Sequence, residues 1–149
     1  MDPFDSAATA EVWRRVMAAQ EEQTLQEVLP EMISDELTDH MIYLRLMRCG
    51  IGAQTFRRLA QEEGCHIRRL KALYFLLTGQ EACAEAGAVP HFSCVTEALR
   101  DRFAEEQKGA RVYRSAAERW SEHGALFRAL AAQEEEHARR LHCLTQTIL

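Results

Sequence analysis

The stretch AAQEEEHARRL, residues 131–141, places one histidine behind three glutamates in a segment with helical spacing. Apolar residues recur around it every three or four positions, which predicts an amphipathic helix with one buried face. Glu134 and His137 fall on that face. Glu135 and Glu136 are turned away from it, because successive helical residues rotate by roughly 100°. A glutamate and a histidine therefore interrupt a stripe that should be buried.

A second Glu-x-x-His pair, Glu63 and His66, lies in the middle of another apolar stripe. Two further stripes each contain a glutamate seven residues before a tyrosine: Glu36 with Tyr43, and Glu106 with Tyr113. The order glutamate, tyrosine, Glu-x-x-His thus occurs twice along the chain, at nearly equal spacing. One such pair is a weak motif because glutamate is frequent here, but its duplication on separate helices indicates a shared site.

The hydrophobic spacing predicts an all-α chain with a short N-terminal helix at about 6–20 and four longer helices at about 31–48, 53–78, 93–119 and 122–147. Pro30 is expected at the start of the first long helix. Two of the three links between long helices are short, so each flanking pair should form an antiparallel hairpin. The middle link, QEACAEAGAVPHFS, can extend to about 46 Å, and a 26-residue helix is about 39 Å long. One long crossover between two hairpins is the connectivity of a ferritin-like four-helix bundle.

Composition and charge exclude several classes of protein. The size is that of one domain, 1–149, with residues 1–24 as an N-terminal extension or short helix. The net charge of -5 offers no basic stripe for nucleic acid and no polybasic arm for a membrane. Five cysteines without a C-x-x-C pair indicate neither a disulfide framework nor a structural zinc site, and Cys65 is expected to be a buried, inert thiol. We expect a cytoplasmic protein, since no signal peptide or membrane span is visible.

Four glutamates in a protein interior need a compensating charge, because each ionised carboxylate costs several kcal/mol to bury, on the order of 20 in the idealised limit. The arginines, for example Arg57, Arg58, Arg139 and Arg140, fall mostly on outward positions, and no inward cation is visible in the sequence. Two divalent metal ions would balance the four carboxylates. Mixed oxygen and nitrogen donors suit iron or manganese better than a closed zinc site.

These motifs resemble the ferritin-like superfamily and, within it, the rubrerythrin-type di-iron domain. The resemblance covers most of the chain and is carried by DELTDHMIY at 35–43, EEGCH at 62–66, EEQKGARVY at 105–113 and EEEH at 134–137. It implies two bound iron ions, with manganese or a mixed pair as alternatives. The ligands that it implies are Glu36, Glu63, His66, Glu106, Glu134 and His137. It also implies that the hydroxyls of Tyr43 and Tyr113 hold ligating carboxylates in place.

Two departures limit what the resemblance implies. Rubrerythrins commonly have a further glutamate one turn after the third-helix ligand, where this chain has Gly109. They also usually carry a rubredoxin domain with paired C-x-x-C, which this sequence lacks, so electrons must come from a separate donor protein. His40, one turn after Glu36, is a less favoured substitute ligand.

The function implied by the resemblance is reduction of hydrogen peroxide or oxygen with electrons from that donor. One alternative is a ferroxidase or iron-handling protein, which would need a closed cage to store mineral. Another is a non-catalytic helical bundle in which the metal serves folding alone or has been lost. The N-terminal segment with Trp13 is expected either to cover the bundle or to pair two subunits as a homodimer.

Overall fold

A computed structural model describes residues 6–148. Within that range the chain forms five α-helices and no strand, so the predicted all-α class is confirmed. Short 3-10 turns at Met47–Cys49 and Ser121–His123 lead into the third and fifth helices. The helices are α1 Ser6–Glu22, α2 Leu25–Leu46, α3 Ala53–Thr78, α4 Val95–Arg119 and α5 Gly124–Ile148.

Helix α2 begins earlier than the sequence spacing predicts. Its first residue is Leu25, and Pro30 lies inside the helix, so the prediction that Pro30 starts it was wrong. Thr24 and Glu27 explain the earlier start, because the Glu27 carboxylate accepts the Thr24 N–H at 2.8 Å and the Thr24 hydroxyl at 3.0 Å. Pro30 lacks one N–H donor, but the helix continues through it.

Two apolar clusters lie at opposite ends of the long helices. The first combines the starts of α2 and α5 with the ends of α3 and α4, and it includes Leu29, Leu70, Tyr113 and Phe127. The second combines the opposite ends of the same helices, with Tyr43, Phe56, Leu99 and Leu141 among its members. The helices of each hairpin, α2 with α3 and α4 with α5, are therefore antiparallel. Full burial of each large apolar side chain contributes roughly 1.5–3 kcal/mol.

The link at 79–94 runs along the length of these helices. It leaves α3 at the first apolar cluster and enters α4 at the second. The link contacts α2 on the way, since the Gly87 N–H donates to the Thr38 hydroxyl at 2.7 Å. The link therefore runs from one end of the long helices to the other.

In helix α1 the large apolar side chains that the structure describes are exposed, namely Val12, Trp13, Val16 and Met17. Trp13 is 62% exposed, so its side chain does not cover the bundle. Residues 1–5 of the predicted N-terminal extension and Leu149 lie outside the described residues. Across 6–148, none of the helices combines the length and the apolar character needed to cross a bilayer.

Candidate metal centre

Six polar side chains occupy the space between the two apolar clusters. They are the four glutamates and two histidines singled out in the sequence, and the structure brings all of them together. Each of the four long helices contributes at least one, because the interrupted stripes all face inward. None is more than 4% exposed: Glu36, Glu63, His66, Glu106, Glu134 and His137.

The six side chains form two overlapping groups of four, each able to hold a metal ion. Within each group the donor atoms lie within 4.8 Å of one another. The first group is Glu36, Glu63, His66 and Glu134, and the second is Glu63, Glu106, Glu134 and His137. Glu63 and Glu134 belong to both groups, so their carboxylates stand where bridging ligands of a dinuclear centre would be.

The first group has the spacing of donors around a single ion. His66 Nδ1 lies 3.1 Å from Glu36 Oε2, 3.0 Å from Glu63 Oε2 and 3.0 Å from Glu134 Oε1. Two donor atoms at right angles around an ion, each about 2.1 Å from it, are about 3.0 Å apart. A single imidazole N–H can serve only one of three oxygens well, whereas a cation can contact all of them.

The second group repeats this spacing on the other side of Glu63. His137 Nδ1 lies 2.9 Å from Glu63 Oε1 and 3.2 Å from Glu106 Oε2. Each oxygen of Glu63 therefore faces a different histidine. The two imidazole rings are stacked with centroids 5.4 Å apart.

Three of these buried carboxylate oxygens have no hydrogen-bond donor among the described residues. They are both oxygens of Glu63 and Oε1 of Glu134. The nearby histidine nitrogens lie at about the right distance, but their N–H groups are directed at Glu36 and Glu106 instead. Buried polar atoms are almost always paired, so unpaired oxygens on the two shared glutamates fit a site for a cation.

The four carboxyl groups divide into two pairs by pKa. Burial, together with the charges of Glu36 and Glu106, raises the pKa of Glu63 from 4.5 to about 8. Burial and the charge of Glu63 likewise raise the pKa of Glu134. Burial acts upward on Glu36 and Glu106 too, but their hydrogen bonds, chiefly to the histidines, outweigh it and hold each pKa below its usual value.

Both histidines favour the protonated form in the absence of a metal ion. Burial alone would lower the pKa of His137, but the hydrogen bond to Glu106 and the nearby carboxyl group of Glu63 raise it from 6.5 to about 11. The same balance raises the pKa of His66. These shifts favour bound protons in the metal-free site, and divalent ions could supply positive charge in place of those protons.

The two tyrosines connect the hairpins across the site. The Tyr43 hydroxyl on α2 donates to Glu106 Oε1 on α4, and the Tyr113 hydroxyl on α4 donates to Glu36 Oε1 on α2. In each glutamate this leaves the other oxygen directed at a histidine. The arrangement fixes both carboxylates before any ion binds.

Two residues close to these side chains, Cys65 and His40, belong to neither group of four. Cys65 is exposed, not buried, and Arg68 Nη2 lies 2.9 Å from its Sγ. His40 belongs to neither group of four, because its Nδ1 contacts the backbone oxygen of Ala60 at 2.7 Å.

The sequence also indicated no inward cation, but Arg102 is buried. It lies four residues before Glu106 on the same helical face, a spacing that could have indicated its position. It pairs with Asp39 and, at 2.7 Å, with Asp101. Neither is one of the four clustered glutamates, so Arg102 does not remove the need for positive charge among them.

A cavity of about 200 Å³ opens between α2 and α4 beside the clustered side chains. Glu36, Glu134 and Tyr113 form part of its wall, together with Asp39 and Gly109. A Cβ atom at Gly109 would lie 2.8 Å from Glu134 Oε2, so only glycine leaves Glu134 in its observed place. The cavity gives small molecules a path to the shared carboxylate.

No protein-family model, curated protein or solved structure matches this chain.

Proposed function

We propose that the chain is a dinuclear metalloprotein of ferritin-like topology that acts as a rubrerythrin-type oxidoreductase. It would reduce hydrogen peroxide or oxygen with electrons from a separate donor protein. The observation that supports this proposal is the pair of overlapping donor groups that share Glu63 and Glu134. Ion pairs with the two histidines do not account for that pattern, because three of the carboxylate oxygens have no hydrogen-bond donor among the described residues.

The donor set favours iron or manganese. Each group offers three carboxylates and one imidazole, which is an oxygen-rich set with room for a further ligand. Two such ions in their reduced form would supply the two electrons that convert one hydrogen peroxide to two waters. The protein's own contribution is to position the donors, exclude bulk water and provide protons.

Water exclusion comes from the apolar clusters above and below the site. Leu29 and Phe127 on one side, and Phe56 and Leu141 on the other, are fully buried. The open side is the cavity between α2 and α4, whose volume of about 200 Å³ leaves room for a molecule as small as peroxide or oxygen. A small oxidant can therefore reach Glu134 through this cavity.

Asp39 is the candidate proton donor at this cavity. Burial raises its pKa from 3.8 to about 7, with the charges of Glu106 and Glu36 adding to the effect and the Arg102 guanidinium opposing it. A carboxyl group with that pKa is about half protonated at neutral pH, so it can both deliver and take up a proton there. Reduction of peroxide to water consumes two protons, so such a group in the cavity wall suits the reaction.

Metal content and peroxide consumption test the proposal directly. Protein stripped with a chelator and reloaded anaerobically with Fe(II) should bind two ions per chain and then consume about one peroxide per pair of ions. Glu134→Ala should lose this reaction. Glu135→Ala is the matched control, because Glu135 is adjacent in sequence but exposed. Retention of both ions by Glu134→Ala, or failure of the unaltered protein to bind iron, would contradict the proposal.

Gel filtration with repeated additions of Fe(II) and oxygen separates this proposal from iron storage. A storage protein should take up many ions per chain within a closed cage, whereas a monomer or dimer cannot enclose a mineral. Uptake that stops at two ions per chain favours the oxidoreductase.

A further inference from the structure

The two clustered histidines differ in what their outer ring nitrogen contacts. Nε2 of His137 donates to Glu62 Oε2 at 2.9 Å. Nε2 of His66 donates to the side-chain oxygen of Gln133 at 3.0 Å. The outer nitrogen of His137 therefore contacts a carboxylate, whereas that of His66 contacts a neutral amide.

Glu62 and Gln133 occupy equivalent places in the two halves of the chain. Each directly precedes a shared glutamate, Glu63 or Glu134, and each contacts the histidine of the opposite hairpin. The difference between them is thus a break in an otherwise duplicated arrangement. At the inner nitrogens the halves also differ, because His66 Nδ1 contacts three carboxylates and His137 Nδ1 contacts two. At the outer nitrogens the difference is the exchange of Glu62 for Gln133.

The negative charge of Glu62 is held in place by two arginines. Arg140 Nη1 lies 2.6 Å from Glu62 Oε2, and Arg58 Nε lies 3.2 Å from Oε1. Gln133 has one comparable neighbour, Arg69 Nη1, at 3.5 Å. The carboxylate is therefore both ionised and fixed against the imidazole.

A carboxylate that accepts the outer N–H of an imidazole makes the inner nitrogen a stronger donor to a metal ion. An amide oxygen does the same to a smaller extent because it carries only a partial charge. We infer that the two metal positions are unequal, and that Glu62 makes the position at Glu106 and His137 the one that binds a divalent ion first. The position at Glu36 and His66, where Gln133 contacts the histidine, binds the second ion. This inference rests on the proposed dinuclear centre.

Manganese(II) is a suitable probe because it binds without being oxidised during a titration. Stepwise affinities can be measured at fixed pH by competition with a chromophoric chelator. We expect Glu62→Gln, which removes one charge and keeps the hydrogen-bond acceptor, to weaken the first step about tenfold. Gln133→Glu should strengthen the second step by a similar factor, so that the two steps merge.

Glu136→Gln is the matched control. Glu136 also pairs with Arg140, at 3.0 Å, but it touches neither histidine. It should leave both steps unchanged, because its charge does not act on a ring nitrogen. Equal weakening by Glu62→Gln and Glu136→Gln would show that only the overall charge matters, and the inference would be wrong.

Single-position variants assign the order of filling. His66→Ala retains the position beside His137, and His137→Ala retains the other one. The His66→Ala protein should bind one Mn(II) at least about tenfold more tightly than the His137→Ala protein. The reverse order, or equal affinities, would overturn the inference.

The outcomes separate this inference from the proposed function. If the unaltered protein binds no Mn(II) or Fe(II), the dinuclear centre itself is refuted. If it binds two ions while Glu62→Gln and Gln133→Glu change neither step, only the inequality of the positions is refuted. Both substitutions lie at half-buried positions, so circular dichroism suffices to check that the helices are retained.

Discussion

Replacing Glu63 by glutamine should make the metal-free protein more stable, although it removes a residue at the centre of the site. Glu63 is buried, and neither of its oxygens has a hydrogen-bond donor among the described residues. Ionising this carboxyl in the metal-free fold is therefore unfavourable. Glutamine has nearly the same shape and carries no charge, so it avoids that penalty.

The size of the effect follows from the pKa of Glu63, which folding raises from 4.5 to about 8. The folded protein holds this proton more tightly than the unfolded chain does. The resulting stabilisation is fully present below the unfolded pKa and is lost as the pH rises through the folded one. Between about pH 5 and about pH 9 the free energy of unfolding of the unaltered protein should fall by on the order of 4 kcal/mol, at about 1.4 kcal/mol per pKa unit. The Glu63→Gln protein should not show this fall.

Urea unfolding with a chelator present, followed by circular dichroism at both pH values, measures this difference. With a urea m value of about 2 kcal/mol per molar, the midpoints should diverge by roughly 2 M at the higher pH. Glu118→Gln is the control, because Glu118 is exposed on α4. Its midpoint should follow that of the unaltered protein at each pH.

Excess Mn(II) should reverse the order of stability. The unaltered protein gains stability by binding the ion, whereas Glu63→Gln loses a carboxylate shared by both donor groups. The reasoning is refuted if the metal-free variant is the less stable protein at the higher pH, or if the two proteins lose stability in parallel as the pH rises.

Three further predictions concern the same site. Binding of divalent ions at pH 7 should release protons, because the raised pKa values of Glu63 and His137 favour their protonated forms. The dependence of the calorimetric heat on the buffer measures this release, and binding without release would contradict those protonation states. Gly109→Ala should weaken metal binding tenfold or more, because its Cβ would lie 2.8 Å from Glu134, whereas Gly64→Ala, whose nearest contact is 3.6 Å, should not. Asp39→Asn should slow peroxide reduction about a hundredfold. It should also abolish the fall in rate that the unaltered protein is expected to show as the pH rises through about 7, and an unchanged pH profile would exclude Asp39 as the proton donor.

The sequence predicted the helices and the convergence of the clustered side chains well, because both depend on short-range periodicity. Polar residues such as Glu63 and His66 were recognisable since they interrupt an apolar stripe, and a helix fixes the direction of every side chain on it. The start of α2 was misplaced because Pro30 is a stronger local signal than Thr24 and Glu27, which act together.

Contacts between helices could not be predicted from the spacing of apolar residues along each helix. The pairing of Arg102 with Asp39, and the contact of Glu62 with His137, join residues on different helices. Their geometry depends on how the helices rotate and slide against each other, which a stripe pattern does not define. The donation from each tyrosine to the glutamate of the opposite hairpin is likewise a property of the assembled fold.

The division of the donor groups between the hairpins means that neither half of the chain can build a metal position alone. The first group takes Glu134 from the second hairpin, and the second group takes Glu63 from the first. A bound ion would therefore hold together the two hairpins, whose covalent connection is the link at 79–94. Cleavage of that link would leave two fragments whose reassembly and metal binding form a single coupled equilibrium.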